Sequence, residues 1–199
     1  MKITTTQYVI ALLIFGTISC NSNQQDSAKD AKDSNAVKMD STGSSTGQTS
    51  SIPASVSKDD AQFVVNVANA GMTEIQLGQL AQQKGTAKDV KMYGGMMVKD
   101  HTAATDKLKD VAAAKNITLP ATVSPEMQKN IDDLGQKSGK DFDKAYISMM
   151  VDDHKKVIDM FQSEIKSGSD STIRDFANNT LPTLQQHLAK AEECKKMQK

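Results

Sequence analysis

Residues 91–106 and 144–159 share eight identities in sixteen aligned positions: Lys91/Lys144, Tyr93/Tyr146, Met96/Met149, Met97/Met150, Val98/Val151, Asp100/Asp153, His101/His154 and Asp106/Asp159. Two of the three histidines of the chain lie in these copies. Neither copy carries Gly or Pro near its histidine, and Met97/His101 and Met150/His154 are four residues apart, so each pair shares one face of a helix. A chain built this way folds as helices that present one histidine each to a common interior.

The rest of the chain agrees. Ser57 is placed to cap a helix over 58–84, with Asp60 three residues on and Lys84-Gly85 as the stop. Thr86 with Asp89 opens a second helix, whose seam is Val90, Gly94, Met97, His101, Ala104, Leu108 and Val111, ending before Pro120. A connection over 116–139 contains a short helix started by Ser124-Pro125 and closed at Leu134-Gly135. A third long helix runs over 140–166. The fourth begins near Ser169 or Ser171, and Pro182 inside it is expected to kink or split it. The fold class expected is all-α, a four-helix bundle with a long connection between helices 2 and 3.

What precedes the bundle has a different character. Lys2 is followed by an apolar run, Tyr8 to Phe15, too short to span a bilayer. It leads to Gly16 and Cys20 and resembles a bacterial lipoprotein signal, with Thr17 where that pattern prefers leucine. The expectation is a signal peptide over 1–19, a lipid on Cys20, and a disordered tether over 20–57, too polar to offset the entropy of ordering and about 30 to 35 Å in reach. The bundle then occupies 58–199. A lipidated Cys20 leaves Cys194 without a disulfide partner. The expected location is the bacterial envelope, anchored in a membrane, with the outer membrane facing periplasm or surface as its setting.

Charge excludes one class of partner. Lys+Arg and Asp+Glu stand at 24 each, and Arg174 is the only arginine. Nucleic-acid readers need a basic face and guanidinium forks, so no nucleic acid is expected.

All three histidines, His101, His154 and His187, fall on apolar seams near mid-helix, and Glu74 falls on the seam of the first helix at a similar depth. Three imidazoles and one carboxylate converging in a bundle core suit one transition-metal ion, zinc, copper or iron. Met97 and Met150 would add soft sulfur, although core filling explains methionines at helical spacing equally well. The alternative is a buried polar network in which Tyr93, Tyr146, Asp100 or Asp153 satisfies the histidines, leaving a structural or interaction module with no metal. Di-iron oxidase chemistry lacks its Glu-x-x-His signature, and no serine or cysteine has the setting of a nucleophile.

Asp60-x-x-Phe63, Glu74-x-x-x-Gly78-x-Leu80-Ala81, Met97-x-x-Asp100-His101, Phe142-Asp143-x-x-Tyr146, His154, Phe176-Ala177 and Leu181-Pro182-x-Leu184-x-x-His187 follow one another in an order that resembles domain-of-unknown-function family 4142. These are ferritin-like bacterial envelope proteins often labelled outer-membrane proteins, and the likeness covers residues 58–192. The resemblance implies a secreted or lipid-anchored ferritin-like bundle and no established activity; a metal-dependent oxidoreductase is the enzymatic alternative. Gly94-Gly95 depart from the family pattern, which has bulkier residues there.

Overall fold

The computed structural model describes residues 26–41 and 56–198, with side chains from 39 to 41 left out. Every regular element among them is a helix: α1 (Ser27–Ser41), α2 (Lys58–Lys84), α3 (Lys88–Ala114), α4 (Pro125–Gly135), α5 (Gly139–Ser167) and α6 (Ser171–Met197).

Local chemistry sets most of the boundaries. The Ser57 hydroxyl accepts from the Asp60 amide at 3.0 Å and starts α2. Gly85 ends it, its amide returning to the Ala81 carbonyl. Ser124 caps α4 with Pro125 in the first turn, and Asp170 caps α6 through the amides of Thr172 and Ile173. α3 differs from expectation. Its N-cap is Ala87, which has no side chain able to cap, and Asp143 of α5 supplies the missing acceptor. Pro182 does not split α6, which is continuous from Ser171 to Met197. Pro182 and Asn178 are both exposed, so the carbonyl that loses its partner one turn back lies on the solvent side.

α2 packs against α3 and α5 against α6, while α2–α5 and α3–α6 contacts close the ring. Two buried aspartates fix how the pairs run. Asp60, at the start of α2, accepts from Ser169 and Asp170 in the α5–α6 turn, and Asp143, near the start of α5, accepts from Thr86 and Ala87 in the α2–α3 turn. α2 and α5 are therefore antiparallel. α3 ends where α2 began, so the segment carrying α4 traverses the length of the helices before α5 starts.

The expected structureless tether fails for Ser27–Ser41, which form α1. Asn35 pairs reciprocally with the main chain of Thr118, donating to its carbonyl at 3.0 Å and accepting from its amide at 2.7 Å. Lys38 donates to the Thr118 hydroxyl, and the Ser27 hydroxyl accepts from the Ala121 amide. Among the described side chains of α1 the apolar ones buried with Asn35 are small, Ala28 and Ala31, so an argument from apolar area alone misses a helix held by polar contacts. Residues 1–25, with the signal segment and Cys20, and residues 42–55 of the tether lie outside the described residues.

The core has two apolar clusters. One contains Phe63, Val64, Leu108, Phe161, Ile173 and Leu184, and the other Leu77, Tyr93, Met97, Tyr146, Met150 and Ala191. Along each of α2, α3, α5 and α6 a polar residue separates the two: Glu74, His101, His154 and His187. Between α2 and α3 the backbones touch. A Cβ on Gly94 would stand 2.7 Å from the Gly78 carbonyl oxygen, and one on Gly78 2.7 Å from that of Gly94. Glycine at 94, where a bulkier residue was expected, permits that contact.

Candidate metal centre

The four polar residues of the middle layer meet. Glu74 is 3% exposed, His101 6%, His154 0% and His187 2%. One ring nitrogen from each histidine lies within 4.8 Å of the others, so a single ion could be held by all three.

Hydrogen-bond partners assign the protons. His154 Nδ1 is 2.9 Å from the Met150 carbonyl oxygen, which can only accept, so Nδ1 carries the hydrogen and Nε2 keeps its lone pair. His187 Nε2 is 3.0 Å from Asp100 Oδ2, a carboxylate acceptor, so His187 Nδ1 is the bare nitrogen. These two bare nitrogens, His154 Nε2 and His187 Nδ1, face each other across 3.4 Å. His101 Nδ1 lies 3.2 Å from Glu74 Oε2, and its Nε2 is buried with no hydrogen-bond partner. Each imidazole thus has one nitrogen held by an oxygen acceptor and one without a donor, the outer-shell pattern that orients metal-ligating histidines.

Electrostatics keeps those lone pairs available. Burial lowers the His101 pKa to about 4, opposed in part by Asp100. Burial also pulls His154 below the ordinary imidazole range against the attraction of Glu74, with His101 and His187 pushing it further down. His187 moves the same way, its burial opposed by Asp100. All three rings are neutral at pH 7, the state that binds metal. Burial raises Glu74 to about 7, with His154 working against the shift.

Glu74 takes a different place from the three imidazoles. It contacts the Nδ1 side of His101, and its Oε1 is 3.5 Å from His154 Nδ1, on the opposite edge of that ring from the nitrogen facing His187. Its contacts make it an orienting carboxylate. Asp100, one of the groups expected to satisfy a histidine, does so for His187 across 87 residues of sequence. Of the four partners expected for the alternative polar network, Asp100 alone hydrogen-bonds a histidine ring. The Tyr93 hydroxyl donates to the His187 main-chain carbonyl, the Tyr146 hydroxyl is buried without a partner, and Asp153 pairs with Lys156. Met97 and Met150 are fully buried in the second apolar cluster. Cys194 is a buried free thiol, which burial pushes up to about 11, aided by Asp89, so it stays protonated.

The profile of the family described as "Domain of unknown function (DUF4142)" matches residues 45–194, and the chain belongs to that family. The match leaves α1 outside it. No curated protein matches the sequence. Among solved structures, the crystal structure of a DUF305 fragment from Deinococcus radiodurans is similar in fold, with a TM-score of 0.61 at 10% identity, covering 69% of this chain and 95% of that one.

Proposed function

We propose that the protein binds one transition-metal ion through His101, His154 and His187, with Glu74 and Asp100 orienting the rings. The observation that carries this reading is the 3.4 Å approach of His154 Nε2 and His187 Nδ1, each left without a proton by the partner on its other nitrogen. Two facing lone pairs in a water-poor core repel unless a cation lies between them or beside them. Three neutral imidazoles suit zinc, copper and iron and leave a position open, as in catalytic rather than structural sites. When bound, such an ion would act as a Lewis acid or, for copper and iron, as a redox centre.

The connectivity supports a ferritin-like reading: two antiparallel pairs joined by one segment that runs the length of the helices. The sequence supports lipidation of Cys20 after removal of residues 1–19 and an envelope location, which incorporation of labelled fatty acid into the parent but not into Cys20→Ser would test. For the metal, elemental analysis of the purified protein after loading with zinc, copper or iron should give one equivalent, falling to near zero in the His154→Ala/His187→Ala double variant. Failure to retain any of the three metals would dispose of the centre.

A further inference from the structure

A second feature adjoins the histidine layer on the side of the phenylalanine cluster. A cavity of about 20 Å³, enough for about one water-sized molecule, is walled by side chains of all four long helices, among them Phe161, Phe176 and Leu184. Most of its lining is hydrocarbon, with Thr105 and Thr180 also on its wall. At its polar edge stand Glu74 and His101. These two residues also own unpartnered buried polar atoms, Glu74 Oε1 and His101 Nε2. The two residues that own the orphaned atoms thus also wall the space.

The chemistry of the orphans defines the guest. With Glu74 as a carboxylate, His101 Nδ1 donates to its Oε2, both open atoms are acceptors, and the molecule that completes them must donate. Once an ion engages the imidazoles, Glu74 Oε1 remains as the acceptor. The cavity offers no cationic side chain, and its carboxylate opposes an anion. A charged guest would also lose its hydration against phenylalanine and leucine walls. Size excludes anything larger than one or two linked non-hydrogen atoms.

We infer that this cavity binds a small, uncharged hydrogen-bond donor, of the size and polarity of hydrogen peroxide, at Glu74 beside the metal centre. The inference rests on the metal reading above and goes beyond it by naming the class of molecule admitted to the site.

The test uses the cobalt(II)-loaded full-length protein, with hydroxylamine as an uncharged donor of this size and azide as an anion of similar reach. Glu74 holds His101, so a guest bonded to Glu74 alters the ligand field. Both can coordinate the open position on the ion and shift the visible cobalt spectrum; the part of the hydroxylamine response that comes from the cavity is the part that cavity filling removes, and the azide response should survive that filling. Ala104→Leu, which fills the cavity, should weaken the hydroxylamine response about ten-fold or more while retaining one equivalent of cobalt. Ala70→Val, a smaller intrusion into the same space, covers the case in which Ala104→Leu does not fold. No response to hydroxylamine, a hydroxylamine response that survives cavity filling, or an azide response that falls in parallel with it would each overturn the inference while leaving the metal centre intact. Failure to bind cobalt at all is a separate result, which removes the centre and this guest with it.

Discussion

Asp60 and Asp143 hold opposite ends of the molecule by the same contact. Each lies in or near the first turn of its helix, and each accepts main-chain N–H groups from the turn that joins the other pair of helices. They stand 83 residues apart, as do Gly85 and Gly168, the glycines that end α2 and α5. The two hairpins are thus built on one plan and lock each other reciprocally.

Asp143 carries the larger share of this lock. It is fully buried and accepts from the Thr86 amide, the Ala87 amide and the Thr86 hydroxyl, and it substitutes for the side-chain cap that α3 lacks. Asp143→Ala should lower unfolding free energy by about 3 kcal/mol, since buried donors are left without acceptors. Asp60→Ala, which strands two main-chain donors but also removes the negative charge that crowds Glu164, should cost less. Urea denaturation of the two variants side by side gives the order, and equal losses would refute the asymmetry.

At the Asp60 end, Glu164 sets a pH dependence. It is 7% exposed, and burial, then the charge and hydrogen bond of Asp60, push its pKa up from 4.5 to about 7 against the pull of Arg174. The folded chain therefore holds a proton there that the unfolded chain has lost, and stability falls as pH rises from about 4.5 to about 7. Glu164→Gln keeps the shape without the charge. It should match the parent near pH 4 and exceed it by about 1 to 2 kcal/mol near pH 8. Glu74 shifts in the same direction, so the informative quantity is the difference between variant and parent, and a difference independent of pH would show that folding does not move the Glu164 pKa.

Glycine substitutions should split by sign. Gly78→Ala places a methyl group 2.7 Å from the Gly94 carbonyl oxygen, a backbone atom that cannot swing away, and should destabilise by about 2 kcal/mol despite alanine's better helix propensity. Gly135→Ala meets nothing within 4 Å at the end of α4 and should gain about 0.5 kcal/mol. Thermal unfolding of both checks the pair, and a stabilised Gly78→Ala protein would mean the helices separate more readily than their contact implies.

What the sequence made legible was local, and what it hid was long-range. Ser57, Ser124-Pro125, Gly85 and Gly168 mark helix ends through bonds to residues a turn away, and the seams of the four long helices follow from periodicity alone. Glu74 and the three histidines were legible as a layer because each interrupts an apolar stripe at mid-helix. Thr86 misled, since the acceptor serving that turn belongs to Asp143 on another helix. α1 was hidden because its contacts join Asn35 and Lys38 to residues about 80 positions away. The evident repeat misled in its own way. Its offset of 53 relates α3 to α5, whereas the hairpins correspond at 83, a register carried by few identities. The division of labour between liganding nitrogens and orienting carboxylates depends on which edge of each ring faces which helix, and spacing carries no such information.

Asp100 provides the sharpest test of that division. Its carboxylate, 30% exposed at the side chain, accepts from His187 Nε2 and thereby keeps Nδ1 free of a proton. In Asp100→Ala nothing holds the hydrogen on Nε2. His187 can then take the other tautomer, in which Nδ1–H donates to His154 Nε2 across the existing 3.4 Å, and the two nitrogens satisfy each other. A metal must break that bond to enter. Zinc affinity, measured by competition with a chromogenic chelator, should fall about 10- to 100-fold, with stoichiometry still one and the metal-free protein no less stable. Asp100→Asn retains an acceptor oxygen and should recover much of the affinity. Nitrogen-15 spectra of the metal-free proteins report the tautomer directly: His187 should be protonated at Nε2 in the parent and at Nδ1 in the alanine variant. If affinity is unchanged while the tautomer switches, the proton on His187 does not govern access to the site. If neither changes, Asp100 is a bystander and something other than its carboxylate orients the ring.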